Sequence, residues 1–339
     1  MDTDAHGLET NRCRIEWRLL PQRRHSQRCR AKPASECHGE AIDSAAFGNV
    51  PNRCSQPTPC YIGTMTEGYH ALRHGAAWLD LDARGRIVAR GRDRARLLHA
   101  ITSNEVKKMV PGDSCYAFLL NPQGRIQADL HLICLADHFL IDTDPGLREK
   151  VQQHIRRYII ADQVELEDVS AKTACIGVEG PQAADLKLTS GDYTIAPFTV
   201  TGQPGYRIFC PAESKGALIA QLESLGAQAA GADDARVVRI ENGKPLYGED
   251  IRDTTLPQET QQMQAISFTK GCYLGQEIVE RIRAQGRVNK KLERLEMEGA
   301  ELPAPGTKLP VDGRDAEITS SVYSPHFGKV IALAYVRTA

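Results

Sequence analysis

One octet constrains this chain more than any other stretch: Lys270-Gly271-Cys272-Tyr273-Leu274-Gly275-Gln276-Glu277, followed by Ile278-Val279-Glu280-Arg281-Ile282-Arg283. Two glycines bracket a cysteine and a tyrosine, which reads as a tight turn. Beyond them Ile278, Val279 and Ile282 recur at helical spacing, and Glu277 stands four residues before Arg281. The pattern predicts a loop over 270–275 that feeds a short helix, with Gly286 as its terminator. Such a loop sets Cys272 near a helix N-terminus and two residues from Lys270. The helix dipole and the ammonium would both favour a thiolate, so Cys272 is a candidate reactive thiol. The competing reading is a buried, inert cysteine beside two turn glycines.

The totals narrow the class. A chain of 339 residues has length for two or three domains with sizeable cores. Its 42 basic and 43 acidic residues nearly cancel, so direct nucleic-acid binding is not expected. Apolar residues make up 41%, and no run approaches the ~20 needed to cross a bilayer, so no membrane association is expected. Five of the ten cysteines precede Met65, and the later ones, Cys115, Cys134, Cys175, Cys210 and Cys272, are scattered without a C-x-x-C. Most of these lie in or beside apolar runs, as reduced core cysteines do, and the natural compartment is the cytoplasm.

Residues 1–64 carry neither helical nor strand periodicity. The arginines at 23, 24, 28 and 30 suit a transit peptide, but seven acidic residues oppose one, and no apolar segment suits a signal peptide. Cys37-His38 has the wrong spacing for a zinc knuckle. The expectation is a disordered extension, or upstream sequence translated from an early start, with the patterned chain beginning at Met65.

From there the elements alternate. Leu79 and Leu81, then Ile87 and Val88, read as two strands around Asp82-Ala83-Arg84-Gly85, and residues 95–101 as an amphipathic helix with Asp93 as N-cap. Strands over 116–120 and 126–133 flank Asn121-Pro122-Gln123-Gly124, strong hairpin chemistry. A strand at 138–142 precedes a helix from about Pro145 to Tyr158, whose Arg148, Lys150, Arg156 and Arg157 form a basic face. Residues 174–180 end in a Gly-Pro turn that lacks a G-x-G-x-x-G fingerprint, so a dinucleotide site is not supported. Phe198-Val200 and Tyr206-Cys210 suggest another hairpin, and 214–225 a helix. The alternation near 170–235 predicts a ferredoxin-like α+β unit. After Gly286, short alternating segments between Gly and Pro turns predict a small β-barrel over 286–339.

The octet resembles the K-G-C-Y-x-G-Q-E signature of the YgfZ/GcvT-like folate-binding family, relatives of the glycine-cleavage aminomethyltransferase that act in iron–sulfur cluster maintenance. Other stretches resemble the same family in order: Leu97-Leu98 with Ile101-Thr102-Ser103-Asn104, Gly180-Pro181-Gln182-Ala183, the R-I-E-x-G-x-P-x-x-G-x-D run from Arg239 to Asp250, and Leu256-Pro257-Gln258-Glu259. The resemblance implies an α+β, multidomain fold with a GcvT-like folate-binding region over 65–285 made of two interleaved domains, and a central folate cavity. It implies tetrahydrofolate as cofactor, Cys272 as the functional thiol, and folate contacts from Lys270, Gly271, Tyr273, Gln276, Glu277, Asn121, Arg239 and Glu241. One cysteine is too few for a cluster, which normally takes four thiolates, so no stably bound metal is expected.

Two departures matter. In the aminomethyltransferases the hairpin reads N-x-x-G-G-I-x-D-D-L, and its aspartate pair includes the acid beside the folate one-carbon group; here the pair is Ala128-Asp129. By strand alternation Asp129 is expected to face away from the missing acid's side, which argues against aminomethyl transfer. Family members often place a glutamate where Gln203 stands. The function implied is a folate-binding accessory protein that supports assembly or repair of iron–sulfur enzymes through Cys272, with iron–sulfur client proteins or cluster carriers as partners. The alternative is a tetrahydrofolate-dependent aminomethyltransferase or other one-carbon transferase.

Overall fold

The computed structural model describes residues 65–338; the expectations for 1–64 lie outside the described residues. In chain order the elements are α1 (Glu67–His74), β1 (Ala77–Asp80), β2 (Gly85–Arg90), α2 (Arg94–Ile101), β3 (Ser114–Leu120), β4 (Ile126–Cys134), β5 (His138–Thr143), α3 (Arg148–Arg157), β6 (Glu165–Asp168) and β7 (Thr173–Glu179). There follow β8 (Thr194–Ala196), β9 (Gly205–Pro211), α4 (Lys215–Ser224), β10 (Gln228–Ala229), α5 (Ala232–Glu241), α6 (Gln276–Gln285), β11 (Lys290–Met297), β12 (Lys308–Val311), β13 (Arg314–Ser324) and β14 (Lys329–Arg337). No helix among them is long and apolar enough to cross a membrane.

The strands form three sheets. The first runs β3-β4-β5-β2-β6, antiparallel throughout. One of its faces packs Ile87, Leu119, Leu130 and Ile141 against Leu97, Leu98 and Ile101 of α2 and Val151 and Ile155 of α3. The second runs β10-β1-β7-β9-β8, with only the β1–β10 pair parallel. Val88, Ile133 and Leu140 of the first sheet meet Cys175, Ala196 and Phe209 of the second in a shared core. The third, β11-β14-β13-β12, buries Leu292, Val322, Ile331 and Leu333 against Ile240 of α5.

Several expectations need correcting. The strands either side of Asp82-Ala83-Arg84 do not form a hairpin: β1 lies in the second sheet and β2 in the first. The link is held across the gap by polar side chains. Asp82 Oδ1 accepts from Cys175 N at 2.8 Å, and Arg86 donates through Nε to Thr173 Oγ1 at 2.8 Å and through a terminal nitrogen to Thr173 O at 2.9 Å. The second sheet is not contained within 170–235, because it takes β1 from upstream. The strand that precedes β9 and pairs with it is Thr194–Ala196, which leaves 197–204 as a loop. The third helix starts at Arg148, after a turn closed by Leu147 N to Asp144 O at 3.1 Å. Asp93 sits at the N-cap of α2 but spends its carboxylate on Gln163 N at 2.8 Å. The C-terminal region is an open four-stranded sheet rather than a closed barrel, since β11 and β12 stay at opposite edges.

Candidate functional site

A cavity of about 490 Å³ opens where the first sheet meets the 197–204 loop and the chain after α5. That volume falls within the range of small-molecule sites. Its wall includes Tyr116 of β3, Asp129 and His131 of β4, Arg84, Asp144, Phe198, Arg207 and Lys244. Strand β4 supplies the key geometry. Ala128, Leu130 and Leu132 point into the helix-covered core, so by period two Asp129 and His131 point the other way, into the cavity.

This overturns the expectation drawn from Ala128. The position without an acid is the one that packs against α2 and α3, where a carboxylate would be desolvated without a partner. The acid that remains faces the cavity. Tyr116 OH donates to Asp129 Oδ2 at 2.8 Å, and Asp129 Oδ1 is buried with no partner. Burial and then the charge of Asp144 push Asp129 up to about 7, against the pull of Arg84 and the Tyr116 hydroxyl. A carboxyl poised near neutrality with one free oxygen can hold or release a proton.

The floor is a chain of ions. Asp142, fully buried, accepts from Arg84 Nε at 2.8 Å and from a terminal nitrogen of Arg207, while the other arm of Arg84 reaches Asp144. Breaking such a pair would strand a buried charge, so the network fixes the shape of the floor. Lys244 donates to Thr199 O, and burial followed by Arg207 lowers it to about 8. His131 stacks on Tyr116 with ring centroids 4.9 Å apart and lies 4.3 Å from the ring of Phe198. Glu179, buried beneath the loop, accepts from Val200 N at 2.5 Å and Thr201 N at 2.8 Å and so holds Phe198 and Thr199 in the wall. Gln203 lies on this loop outside the wall.

The octet forms a clasp beside the cavity rather than part of its wall. Lys270 Nζ donates to the carbonyls of His99 at 2.5 Å, Thr102 at 2.7 Å and Asn104 at 2.8 Å, and Leu274 N donates to Ala100 O at 3.0 Å. The clasp therefore caps the C-terminal end of α2, satisfying carbonyls the helix cannot. Asn104, held in this way, lines the cavity and donates from Nδ2 to Tyr116 O at 2.8 Å. Burial lowers Lys270 to about 8, against the pull of Glu105 and then Cys115. Tyr273 is buried with Phe118, Leu120 and Val279, its ring 4.8 Å from Lys270 Nζ. Gln276 Oε1 accepts from Tyr273 N at 3.3 Å, closing the turn.

Gly275 begins α6 with φ of 80°, and a Cβ there would sit 2.6 Å from Asn121 O. Asn121 Oδ1 accepts from Arg125 N at 2.9 Å, so this residue shapes the β3–β4 turn against which the clasp docks. Helix α6 runs to Gln285 and ends at Gly286 with φ of 71°, as the sequence predicts. Gly271 borders open space and Glu277 is exposed. Cys272 is exposed too, unlike Cys134, Cys175 and Cys210.

Arg239 and Glu241 lie elsewhere. Arg239 donates to Asp250 Oδ2 at 2.6 Å and Lys244 O at 2.8 Å. Asp250 Oδ1 in turn accepts from Thr319 Oγ1 at 2.6 Å and Ser320 Oγ at 2.7 Å on β13. Glu241 accepts from Tyr69 OH at 2.7 Å and Ser324 Oγ at 2.5 Å. Both acids tie α5 to the third sheet, and neither Arg239 nor Glu241 is in the cavity wall. From the R-I-E run only Lys244, Pro245 and Leu246 reach it. Sequence reasoning passed over Tyr116, His131, Arg84, Arg207 and Asp144. The available signal was the alternation of Gln127, Asp129 and His131 with apolar neighbours on one strand. No group of three or more His, Cys, Asp or Glu among the described residues is placed to hold a metal ion.

Comparison with known proteins agrees with this architecture. Residues 49–198 match the family described as GCVT N-terminal domain. The aminomethyltransferase of Rubrobacter xylanophilus is 29% identical over 299 residues, covering 81% of this chain and 80% of its own. An aminomethyltransferase of Thermus thermophilus is 29% identical over 300 residues, covering 82% and 84%. The glycine cleavage system aminomethyltransferase T of Bartonella henselae superposes with a TM-score of 0.71 at 21% identity, over 80% of each chain. The chain therefore has a GcvT-like fold of mixed α and β content, and its sequence is similar to the GCVT N-terminal domain over 49–198 and to aminomethyltransferases over most of its length.

Proposed function

We propose that the chain binds a tetrahydrofolate in the cavity beside Asp129 and takes part in one-carbon transfer there. The observation that carries this reading is the unpartnered Oδ1 of Asp129, the one buried side-chain acceptor in the described wall that no donor reaches. Buried polar atoms are normally bonded, so an orphan facing a cavity of ligand size is a place prepared for a ligand donor. The names of the homologues favour the same chemistry.

The residues fit such a ligand. Tyr116, His131 and Phe198 offer aromatic faces, and Arg84, Arg207 and Lys244 make the floor cationic. When bound, tetrahydrofolate supplies the nitrogen that accepts the one-carbon unit. Asp129 would hold a proton at Oδ1 or accept one, with Tyr116 fixing its other oxygen. The Arg84–Asp142–Arg207 chain would keep the floor in place while that proton moves. The test is ammonia release from an aminomethylated donor in the presence of tetrahydrofolate. Wild type should turn over and Asp129→Asn should be slower by roughly a hundredfold or more; equal rates would refute the assignment.

One observation favours a second reading, the accessory role for iron–sulfur enzymes. Cys272 is exposed on a loop whose neighbours Lys270, Tyr273 and Gly275 are fixed by packing. A thiol presented in this way suits contact with a partner. In cells lacking the protein, recovery of iron–sulfur enzyme activity by wild type but not by Cys272→Ala would favour this reading. Equal recovery would remove Cys272 from the mechanism.

A further inference from the structure

Asp129 and His131 stand two residues apart on the cavity face of β4, so their backbones are separated by roughly 6–7 Å. They differ in what they offer a ligand. Asp129 Oδ1 is an acceptor when ionised and a donor or acceptor when protonated. The character of His131 is fixed by its neighbour. A terminal nitrogen of Arg207 lies 3.2 Å from His131 Nδ1. The same nitrogen donates its other hydrogen to Asp142 Oδ2, which stands farther from Nδ1, at 3.5 Å. A guanidinium nitrogen can only donate, so Nδ1 must present its lone pair. The single proton of the neutral ring then sits on Nε2, which makes no hydrogen bond among the described residues, on a side chain that lines the cavity. Burial, followed by the charges of Arg207, Arg84 and Lys244, holds the imidazole well below its usual range, so the ring stays neutral at physiological pH.

The stacking completes the argument. The ring is clamped between Tyr116 and Phe198, and Tyr116 faces His131 directly across the β3–β4 ladder. A half-turn about Cβ–Cγ would carry Nδ1 away from Arg207 and must pass through an orientation that breaks both aromatic contacts. Arg207 is itself anchored by buried Asp142.

We infer that His131 is a specificity-determining residue of this cavity, a fixed Nε2–H donor that selects ligands carrying a hydrogen-bond acceptor opposite it. This rests on the tetrahydrofolate reading and sharpens it. A reduced pterin carries a 4-oxo acceptor on its ring edge, whereas a 4-amino analogue presents an N–H at the same place. A fixed donor accepts the first and is left facing a donor by the second. Sites built around one hydrogen bond discriminate because the mismatched ligand strands a buried polar group.

Two measurements test it. In the protein without ligand, nitrogen-15 NMR of the His131 ring at pH 6.5 should show Nε2 protonated and Nδ1 bare. An Nδ1–H tautomer or an imidazolium would overturn the inference without reference to folate. By calorimetry, wild type should bind tetrahydrofolate more tightly than its 4-amino counterpart by roughly tenfold or more. His131→Val should weaken tetrahydrofolate binding by about fivefold to tenfold and erase the preference, while His131→Gln, which keeps an N–H, should retain part of both. Variants are compared only where thermal unfolding shows them folded, and the NMR result stands without them. Binding by wild type with no preference, or a preference unchanged in His131→Val, overturns the inference alone. No binding of tetrahydrofolate by wild type overturns the folate reading, and the assignment falls with it.

Discussion

Asp129→Asn should make the protein more stable at alkaline pH while disabling the site. The group is raised from 3.8 to about 7 by folding, with burial as the leading cause. Between these values the folded state keeps a proton that the unfolded chain has released, so stability falls as pH rises through the window. Each pH unit is worth about 1.4 kcal/mol, and the interval from pH 5 to pH 7 therefore costs wild type about 3 kcal/mol; above pH 7 the curve flattens. Water that reaches the cavity trims the figure toward about 1 kcal/mol by solvating the carboxylate. Asparagine has nearly the same shape, keeps an acceptor for Tyr116 OH, and carries no charge at any pH. Urea unfolding of both proteins at pH 5 and pH 8 isolates Asp129 together with the groups it touches, chiefly Asp144, because titrating groups that do not interact with it cancel in the difference. The variant's lead over wild type should grow by about 1–3 kcal/mol between pH 5 and pH 8. A difference that does not change with pH, or that favours wild type more at pH 8, would refute the buried, charge-penalised carboxyl and the reasoning that makes Asp129 a proton-handling group.

Three further outcomes follow from the clasp. Gly275→Ala should destabilise by about 2–4 kcal/mol, combining a positive φ with a Cβ placed 2.6 Å from Asn121 O, and thermal unfolding should drop by roughly 5–10 °C; a change below about 0.5 kcal/mol would mean the hairpin does not dock there. Lys270→Met should cost about 2–4 kcal/mol, since it leaves three carbonyls without a donor, and hydrogen exchange near the end of α2 should accelerate. Alkylation of the native protein followed by peptide mass mapping should modify Cys272 well before Cys134, Cys175 and Cys210; comparable rates for the four would contradict the exposed loop.

Much of this arrangement is legible in the chain. The loop-to-helix reading of the octet, with Gly275 entering α6 and Gly286 ending it, follows from glycine's access to positive φ and from helical apolar spacing. The β3–β4 hairpin follows from Asn121-Pro122-Gln123-Gly124. Local chemistry fixes these because the deciding contacts are local. Strand alternation on β4 is legible too, yet its outcome is the reverse of the expectation, because period two says that Ala128 and Asp129 face opposite sides without saying which side is the cavity. That choice depends on α2 and α3 covering one face of the sheet.

The sequence by itself determined the elements, their turns and the residues able to carry charge. Only the tertiary structure decided which of those charges meet. Arg84, Asp142 and Arg207 lie 58 and 65 residues apart in succession, and they converge because β1 and β2 part into different sheets. Lys270 sits near Cys272 in sequence, but its ammonium is spent on the carbonyls at the end of α2. Arg239 and Glu241 sit in a motif run, but they bind the third sheet to α5. A buried ion takes whichever partner the packing of apolar surfaces brings within reach, and sequence order does not set that distance.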